Sequence, residues 1–476
     1  MARINTNVAS LTAQRGLART GRELTRTLER LSSGLRITRG ADDPAGLIAS
    51  ETLRSEISGI RQAIDNSQRA SNVIATAEGA LSEVASLLLN IKDLVVEAAN
   101  SGALSRAEIE ANQLQIDSAV DSITRISNTT TFAGLKLLDG SLDYIVSGVA
   151  ASAVSDVAIF QANFGANPTI PVEVSVIASA RTAQLEFRTS ALASSTVLEI
   201  VGVDGVQTLT FVSGTPASAI AFAVNRITDS TGVTARLINS ANPASGIVFN
   251  SLGYGTRNFV AVTAQSGTFA LVDRSGAART RDAGADAVAT INGALTVGDG
   301  LLVKLNTSTL DLELRLDETF GANDTSFIIT GGGARFQLGP TVNSNQQVNV
   351  GIRSVAASRL GERALGFVSD IVTGGNQSLV SGNAQAASRI VEAAIQQVAV
   401  LRGRLGAFEK NTLETNMSSQ QVALENVTAS ESSIRDADFA AETAALTRAQ
   451  ILQQAGTAVL ATANTTPQAV LQLLRG

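Results

Sequence analysis

The stretch LSSGLRITRGADDPAGLIAS, residues 31–50, closes one long helix and opens another, and the fold is read outward from it. Upstream, apolar residues recur at helical spacing from Val8 to Leu35. Leu17, Leu24 and Leu31 stand seven apart, Leu28 and Leu35 make a companion row, and Leu11 precedes them. Residues 31–40 break this amphipathic helix, after which Asp43 followed by Pro44 reads as an N-cap with proline at the first helical position. The second helix carries Ile60, Ile74, Leu81, Leu88 and Val95 on one heptad row, with Ile57, Ile64, Val84 and Ile91 alongside, until Asn100-Ser101-Gly102 ends it. Ser105 and Glu108 then form a capping box for a third helix. Its Ile109, Ile116 and Ile123 are seven apart with Val120 between, so it should pack back antiparallel.

The far end mirrors the near one. Val391, Val398 and Leu405 share one heptad row, and Ala394, Leu401, Phe408 and Val422 the other, which predicts a helix over 385–427 that wants a partner. Residues 428–438 are rich in caps and turn formers. A last helix carries Phe439, Ala445, Leu452 and Val459, with Leu446 and Leu460 beside them, and should end near Pro467. Between about Asp139 and Gly375 the pattern changes to alternating Val, Ile, Leu, Phe and Thr runs with Gly, Asn and Asp turns, as in 172–177, 207–212, 233–238 and 310–316. A single helix is expected there, from about Pro216 to Thr228.

The expected fold is therefore mainly α at both termini, as long antiparallel coiled-coil-like helices, with a β-rich α+β insertion at the centre of an elongated multi-domain subunit. Its parts are a terminal helix at 1–42, a helical core half with a β-hairpin at 43–145 and a surface-exposed insertion of one or two subdomains at 146–374. A second core half at 375–430 and a terminal helix at 431–476 complete it. Ile60, Ile74, Leu81, Leu88, Ile116 and Ile123 from the front, with Val391, Val398, Leu401, Leu405 and Phe408 from the back, are the expected coiled-coil core within the subunit.

Composition closes much of enzymology. The chain has no Cys and no His, which removes thiolate and imidazole nucleophiles, Ser-His-Asp triads and the common zinc sites, and neither a cofactor nor a metal is expected. Charged residues are only 16%, and the net charge of -6 argues against nucleic acid as a partner of the whole chain. No run approaches a membrane span, and residues 1–10 lack the charged start and apolar run of a cleavable signal peptide. A secreted chain of this kind would leave by another route.

Three short features have a functional and a plainer reading. The arginines at 3, 15, 19, 22, 26, 30, 36 and 39 face only Glu23 and Glu29 in the first 39 residues, a balance that suits nucleic acid, an anionic membrane or a presequence. The heptads running through Leu35 favour a solvated or subunit-bridging helix face instead. Asp42 and Asp43 could form a carboxylate dyad but already have work as caps before Pro44, and Gly331-Gly332-Gly333 lacks the Gly-Lys-Ser/Thr and following helix of a phosphate cradle, so a β-turn is expected.

Residues 31–50 also resemble the N-terminal signature of bacterial flagellins. The run ISNTTTFAGLKLLDG at 126–140 is similar to that family's turn into its hairpin, and 405–460, with SSIRDADFAAE at 432–442, resembles its C-terminal half. The resemblance covers about 1–145 and 375–476, and 217–237 is similar to a unit of variable domains in flagellins and hook-associated proteins. It implies a layered subunit, with terminal helices as an inner tube, heptad helices as an outer tube and the insertion facing solvent. It also implies a self-assembling helical homopolymer exported to the cell exterior. Its expected partners are a filament cap protein, a hook-filament junction protein, an export chaperone on the C-terminus and glycans on the insertion.

The physical reading of the ends agrees with that expectation. Leu11, Leu17, Leu24, Leu28, Leu31 and Leu35 in front, and Phe439, Leu446, Leu452, Val459 and Leu460 behind, form thin stripes that need a neighbour, so they are the expected polymerisation residues. Alone, such stripes cannot offset the entropy of ordering, and both ends are expected to order only on assembly. By the resemblance, a patch recognised by a vertebrate innate receptor would fall at Asn90, Leu94 and Gln115. The family's arginine and glutamate are missing there, which should weaken docking. A junction protein of the same family, a secreted coiled-coil adhesin and an enzyme in the insertion are the competing readings.

Overall fold

The computed structural model describes residues 6–100, 102–165 and 167–475, with side chains as far as Thr465; Arg3 and Ser101 of the sequence reading lie outside them. Helix α1 (Val8–Ser33) is capped by Asn7, whose side chain accepts from the Ser10 N–H. Gly34 closes it, its φ of 72° letting its N–H return to the Arg30 carbonyl. Helix α2 (Pro44–Ala98) begins at the proline, and the Asp43 carboxylate accepts the Gly46 N–H at 2.9 Å. Helix α3 (Arg106–Thr129) opens on the expected box between Ser105 and Glu108. The Ser105 N–H and then its hydroxyl hold the Glu108 carboxyl below its ordinary pKa, so the box is fully formed above the ordinary glutamate value and is lost as pH falls through the lowered one. Strands Thr131–Phe132 and Leu135–Lys136 follow, joined through Ala133 and Gly134, both at positive φ as a two-residue hairpin turn requires.

The insertion has two hydrophobic cores, one set into the other along the chain. In the first, the five-stranded sheet that contains Ile170–Ala178 and Asp324–Gly332 contributes Val172, Val174 and Phe327. The six-stranded sheet that contains Val154–Ala162 and Leu310–Leu316 contributes Ile159, Leu312 and Leu314. Strict alternation in Leu310–Leu316 is why every second side chain is buried. The chain leaves this core after Ala180, builds a second around Leu185, Leu198, Ile200 and Phe249 from two four-stranded sheets, and returns at Ala287. Helix α4 (Ala217–Asn225) buries Ile220 and Val224 in the second core, and α5 (Thr228–Thr231) is a single turn ended by Gly232, so the helix expected over 216–228 is split. Gly332 and Gly333, at φ 94° and 77°, turn the chain from Asp324–Gly332 into Ala334–Gln337.

Helix α6 (Ala384–Phe408) runs through a π-turn (Glu409–Glu414) into α7 (Thr415–Arg435). Two expectations are corrected here. The helix does not end at 427 but continues to Arg435, and Val422 is 60% exposed rather than on the core row of Leu401 and Phe408. The π-turn adds a residue to one turn, which rotates the following face by about 100° and ends the heptad phase. Helix α8 (Phe439–Arg475) also runs past Pro467 instead of stopping near it. The φ that proline fixes is a helical one, so continuation loses a backbone hydrogen bond but is not forbidden.

The contacts divide the chain into two compact units. One holds the described residues up to Arg69, Gln337–Val342 and those from Lys410 onward; the other holds Ala70–Phe336 and Asn343–Glu409. In the second, Lys92–Glu392 at 3.1 Å, Glu78–Arg402 at 3.7 Å and a Ser71–Glu409 hydrogen bond set α2 antiparallel to α6. Ile74, Leu81, Leu88, Ile116, Ile123, Val391, Val398, Leu401 and Leu405 are buried, whereas Phe408 is half-buried with its ring 6.1 Å from that of Phe336. Gln113 is buried with its amide satisfied, donating to the Ile371 carbonyl and accepting from Leu379 N–H. Arg404 anchors the first β core to α6, pairing with Asp311 at 2.7 Å and Glu313 at 2.8 Å while stacking on Phe160. Burial pushes the Asp311 carboxyl up, against the pull of Arg404. In the first unit Ile60 is buried, and Ser50–Glu431, Glu51–Arg435 and Ser67–Asn416 contacts set α2 antiparallel to α7.

Candidate functional site: the paired terminal helices

Helices α1 and α8 lie antiparallel. The Asn7 side chain donates to the Ala463 carbonyl at 2.8 Å, the Ser10 hydroxyl to Asn464 at 2.8 Å, and Arg30 pairs with Glu442 at 3.0 Å. Between these points Glu442, Ala449, Gly456 and Ala463 repeat every seventh residue along the inner face of α8, and small side chains there let the helices approach closely. A Cβ at Gly456 would stand 3.3 Å from Leu17. Where both helices end, the chain segments pair too. Leu35 bridges Asp436, Arg36 N–H donates to the Arg435 carbonyl and Ala437 N–H to the Gly34 carbonyl. The breaks at 34 and 436 are thus one joint, and Ile37 is buried beside it at 1% exposure.

The seam is nonetheless thin. Among the described residues, the fully buried side chains of α1 are Ser10 and Thr27, and Ala449 is the buried one of α8. The expected polymerisation residues fall into two sets. Leu17, Leu24, Leu31, Leu35, Leu446 and Leu460 are half-buried, and Leu17, Leu24, Leu31, Leu446 and Leu460 recur at the spacing of the face shared by the two helices. Leu11, Leu28, Phe439, Leu452 and Val459 are exposed, as is Ile451. The reading of the sequence missed Ile451 and the Ala449–Gly456 seam; the seven-residue recurrence of small residues was the available signal.

Asp42 and Asp43 are structural. Asp43 caps α2, and Asp42 accepts from the Thr38 hydroxyl at 2.9 Å and the Arg39 N–H at 3.1 Å while pairing with Arg26 at 3.1 Å. Burial alone would raise the Asp42 carboxyl, but these hydrogen bonds and Arg26 together hold it below the usual range. No group of three or more acidic side chains among the described residues could hold a metal ion, and no helix is long and apolar enough to cross a membrane.

Residues 4–143 match the family model for the bacterial flagellin N-terminal helical region and 388–474 that for the C-terminal helical region. The B-type flagellin of Pseudomonas aeruginosa is 33% identical over 494 residues, covering 99% of both chains. This chain belongs to the bacterial flagellin family. Flagellin A of Helicobacter pylori is 28% identical, and a flagellin of Salmonella typhimurium 29%, each again over 99% of both chains. Among solved structures, FliC from Burkholderia pseudomallei superposes with a TM-score of 0.25 at 16% identity, over 72% of this chain and 99% of that one. The D1-D2-D3 domains of the flagellar cap protein FliD from Escherichia coli score 0.30 at 18%, over 45% and 64%.

As a flagellin the chain is a structural subunit that self-assembles into the extracellular flagellar filament, the helical propeller of swimming bacteria. The breaks and helices described above carry the matched regions, whereas both β cores lie outside them. On this flagellin Asn90 and Gln115 are exposed and Leu94 is half-buried.

Proposed function

We propose that the exposed faces of the α1–α8 pair are the polymerisation surface, and that this pair becomes fully ordered only in the filament. The observation that carries the reading is the contrast between the two helical layers. The heptad rows of α2, α3 and α6 are buried within the subunit, while the α1–α8 seam buries only small side chains and leaves Ile451, Leu452 and Val459 open on one flank of α8. An exposed apolar flank beside a marginal seam is what a repeated contact with a further copy would cover, and heterologous contacts that do not close give an open helical filament.

The same flank of α8 suits an export chaperone before assembly, since an uncovered apolar helix face in a concentrated cytoplasm invites aggregation. A cap protein at the growing end and a junction protein at the base complete the expected partners. The insertion is the outer, solvent-facing part, open to glycan attachment, and the subunit acts without catalysis. The neutral Asn90 and Gln115 predispose the α2–α3 surface to weak docking of the innate receptor.

Removal of residues 436–476 tests the reading. The truncated chain is expected to remain a folded monomer, with the circular dichroism and cooperative melting of α2, α3 and α6, and to form no filaments by electron microscopy at any concentration tried. Filaments from the truncated chain would refute the role given to α8.

A further inference from the structure

Helix α1 presents a ridge of arginine on the side away from α8. Arg15, Arg19, Arg22 and Arg26 recur at i, i+4, i+7 and i+11, so they line one face, and Leu17, Leu24 and Thr27 line the other. Arg26 is paired with Asp42, but Arg15, Arg19 and Arg22 are exposed and have no acidic partner among the described residues. No relief comes from α8, whose last carboxylate is Glu442. A ridge of like charge destabilises an isolated helix, so an arrangement of this kind calls for a counter-charge outside the pair.

A matching ridge starts at Glu414, the last residue of the π-turn, and runs along α7. Glu414, Ser418, Gln421 and Glu425 follow the same i, i+4, i+7, i+11 spacing, are exposed, and lie on the side of the helix opposite Asn416, which meets α2 at Ser67. Neither glutamate has a basic partner among the described residues. Helix α7 has no fully buried side chain, and Val422, 60% exposed, borders its acidic ridge as Leu11 and Ala18 border the basic one. The outer charges of each ridge are separated by about 16 Å along the helix axis.

We propose that the arginine ridge of α1 docks on the Glu414–Glu425 ridge of α7 in a second copy of this chain. Arg15 meets one glutamate and Arg26, shared with Asp42, the other, while Arg19 and Arg22 donate to Ser418 and Gln421. Both ridges have the same spacing, so one register aligns all four positions, and a slip of one turn keeps at most one arginine opposite a glutamate. The contact thereby fixes the axial register of neighbouring subunits, leaving the apolar flank of α8 to supply most of the adhesion. The inference rests on the filament reading above.

Seeded elongation of the full-length protein tests it, using sheared parent filaments as seeds and NaCl as the screening salt. R15E/R19E/R22E, all exposed changes whose folding circular dichroism can check, is expected to raise the critical concentration about tenfold or more at low salt, and one of the single changes Glu414→Arg and Glu425→Arg, the one that faces position 15, to restore part of it in that background while the other glutamate still meets Arg26. The parent should lose part of its advantage as NaCl rises. Elongation of R15E/R19E/R22E at the parent's critical concentration, or no rescue by either single α7 change, overturns the docking while leaving self-assembly intact. Normal elongation together with lost binding to phosphatidylglycerol vesicles likewise overturns it, giving the ridge to a membrane surface. Failure of the parent to elongate seeds under any condition would overturn the filament reading instead.

Discussion

Leu452→Asp combined with Val459→Asp is expected to leave the thermal unfolding of the monomer unchanged and to raise the concentration needed for assembly at least about a hundredfold. Leu452 and Val459 are 49% and 58% exposed, so the isolated subunit loses little when they change. In a subunit interface each would bury an aliphatic side chain worth about 1.5–3 kcal/mol, and two such losses already exceed the 2.7 kcal/mol or so of a hundredfold change. The introduced carboxylates add a desolvation penalty wherever the face is covered. Sedimentation of polymer against total protein measures the shift. Parent-like assembly would place the adhesive face elsewhere on the subunit.

Leu88→Ala should do the reverse. Leu88 has no exposure, between Leu81 and Val95 on the buried row of α2. Truncation removes methylenes from a packed core and leaves a cavity, at a cost of about 2–5 kcal/mol. A chemical denaturation midpoint followed by far-ultraviolet circular dichroism should fall accordingly, while filaments grown from the protein that remains folded keep the parent's critical concentration. A change of less than about 0.5 kcal/mol would mean that this row is not the core it is taken to be.

The two substitutions separate what the heptad pattern shows from what it hides. Rows built from Ile and Leu, such as Ile74–Leu81–Leu88 and Ile116–Ile123, were legible because large apolar residues at a fixed period have few alternatives to burial. The break over residues 31–40 was legible, and the start at Asp43–Pro44 was legible through cap chemistry, but not the pairing of that break with the one at 436. Three features were not. The π-turn at Glu409–Glu414 leaves no compositional mark, so a row extended through it to Val422 was carried one residue out of phase. The terminal stripes contain both inward and outward leucines, and only a partner helix decides which is which: Leu17 faces α8 and Leu28 does not. The two cores of the insertion were invisible as a pair because they are nested, with Ala180 and Ala287 meeting in one core across the whole of the other.

The candidate surface was legible to a similar depth. Leu452 and Val459 stood out as large apolar residues seven apart, but Ala449 and Gly456, which make the α1–α8 seam possible, look ordinary in a sequence rich in small residues. Small residues at a helix seam signal their role by period alone. The arginine ridge, conversely, was visible as a charge imbalance whose direction needed the structure: it points away from α8, toward whatever carries the opposite charge.

Amide hydrogen exchange over residues 8–33 and 439–465, compared between monomer and filament, addresses the central claim most directly. The account predicts exchange in the monomer within seconds to minutes across both segments, while α2, α3 and α6 stay protected, and strong protection of both segments once filaments form. Equal, strong protection of the α1–α8 pair in monomer and filament alike would contradict it, since the pair would then be a finished part of the subunit and not a surface completed by polymerisation.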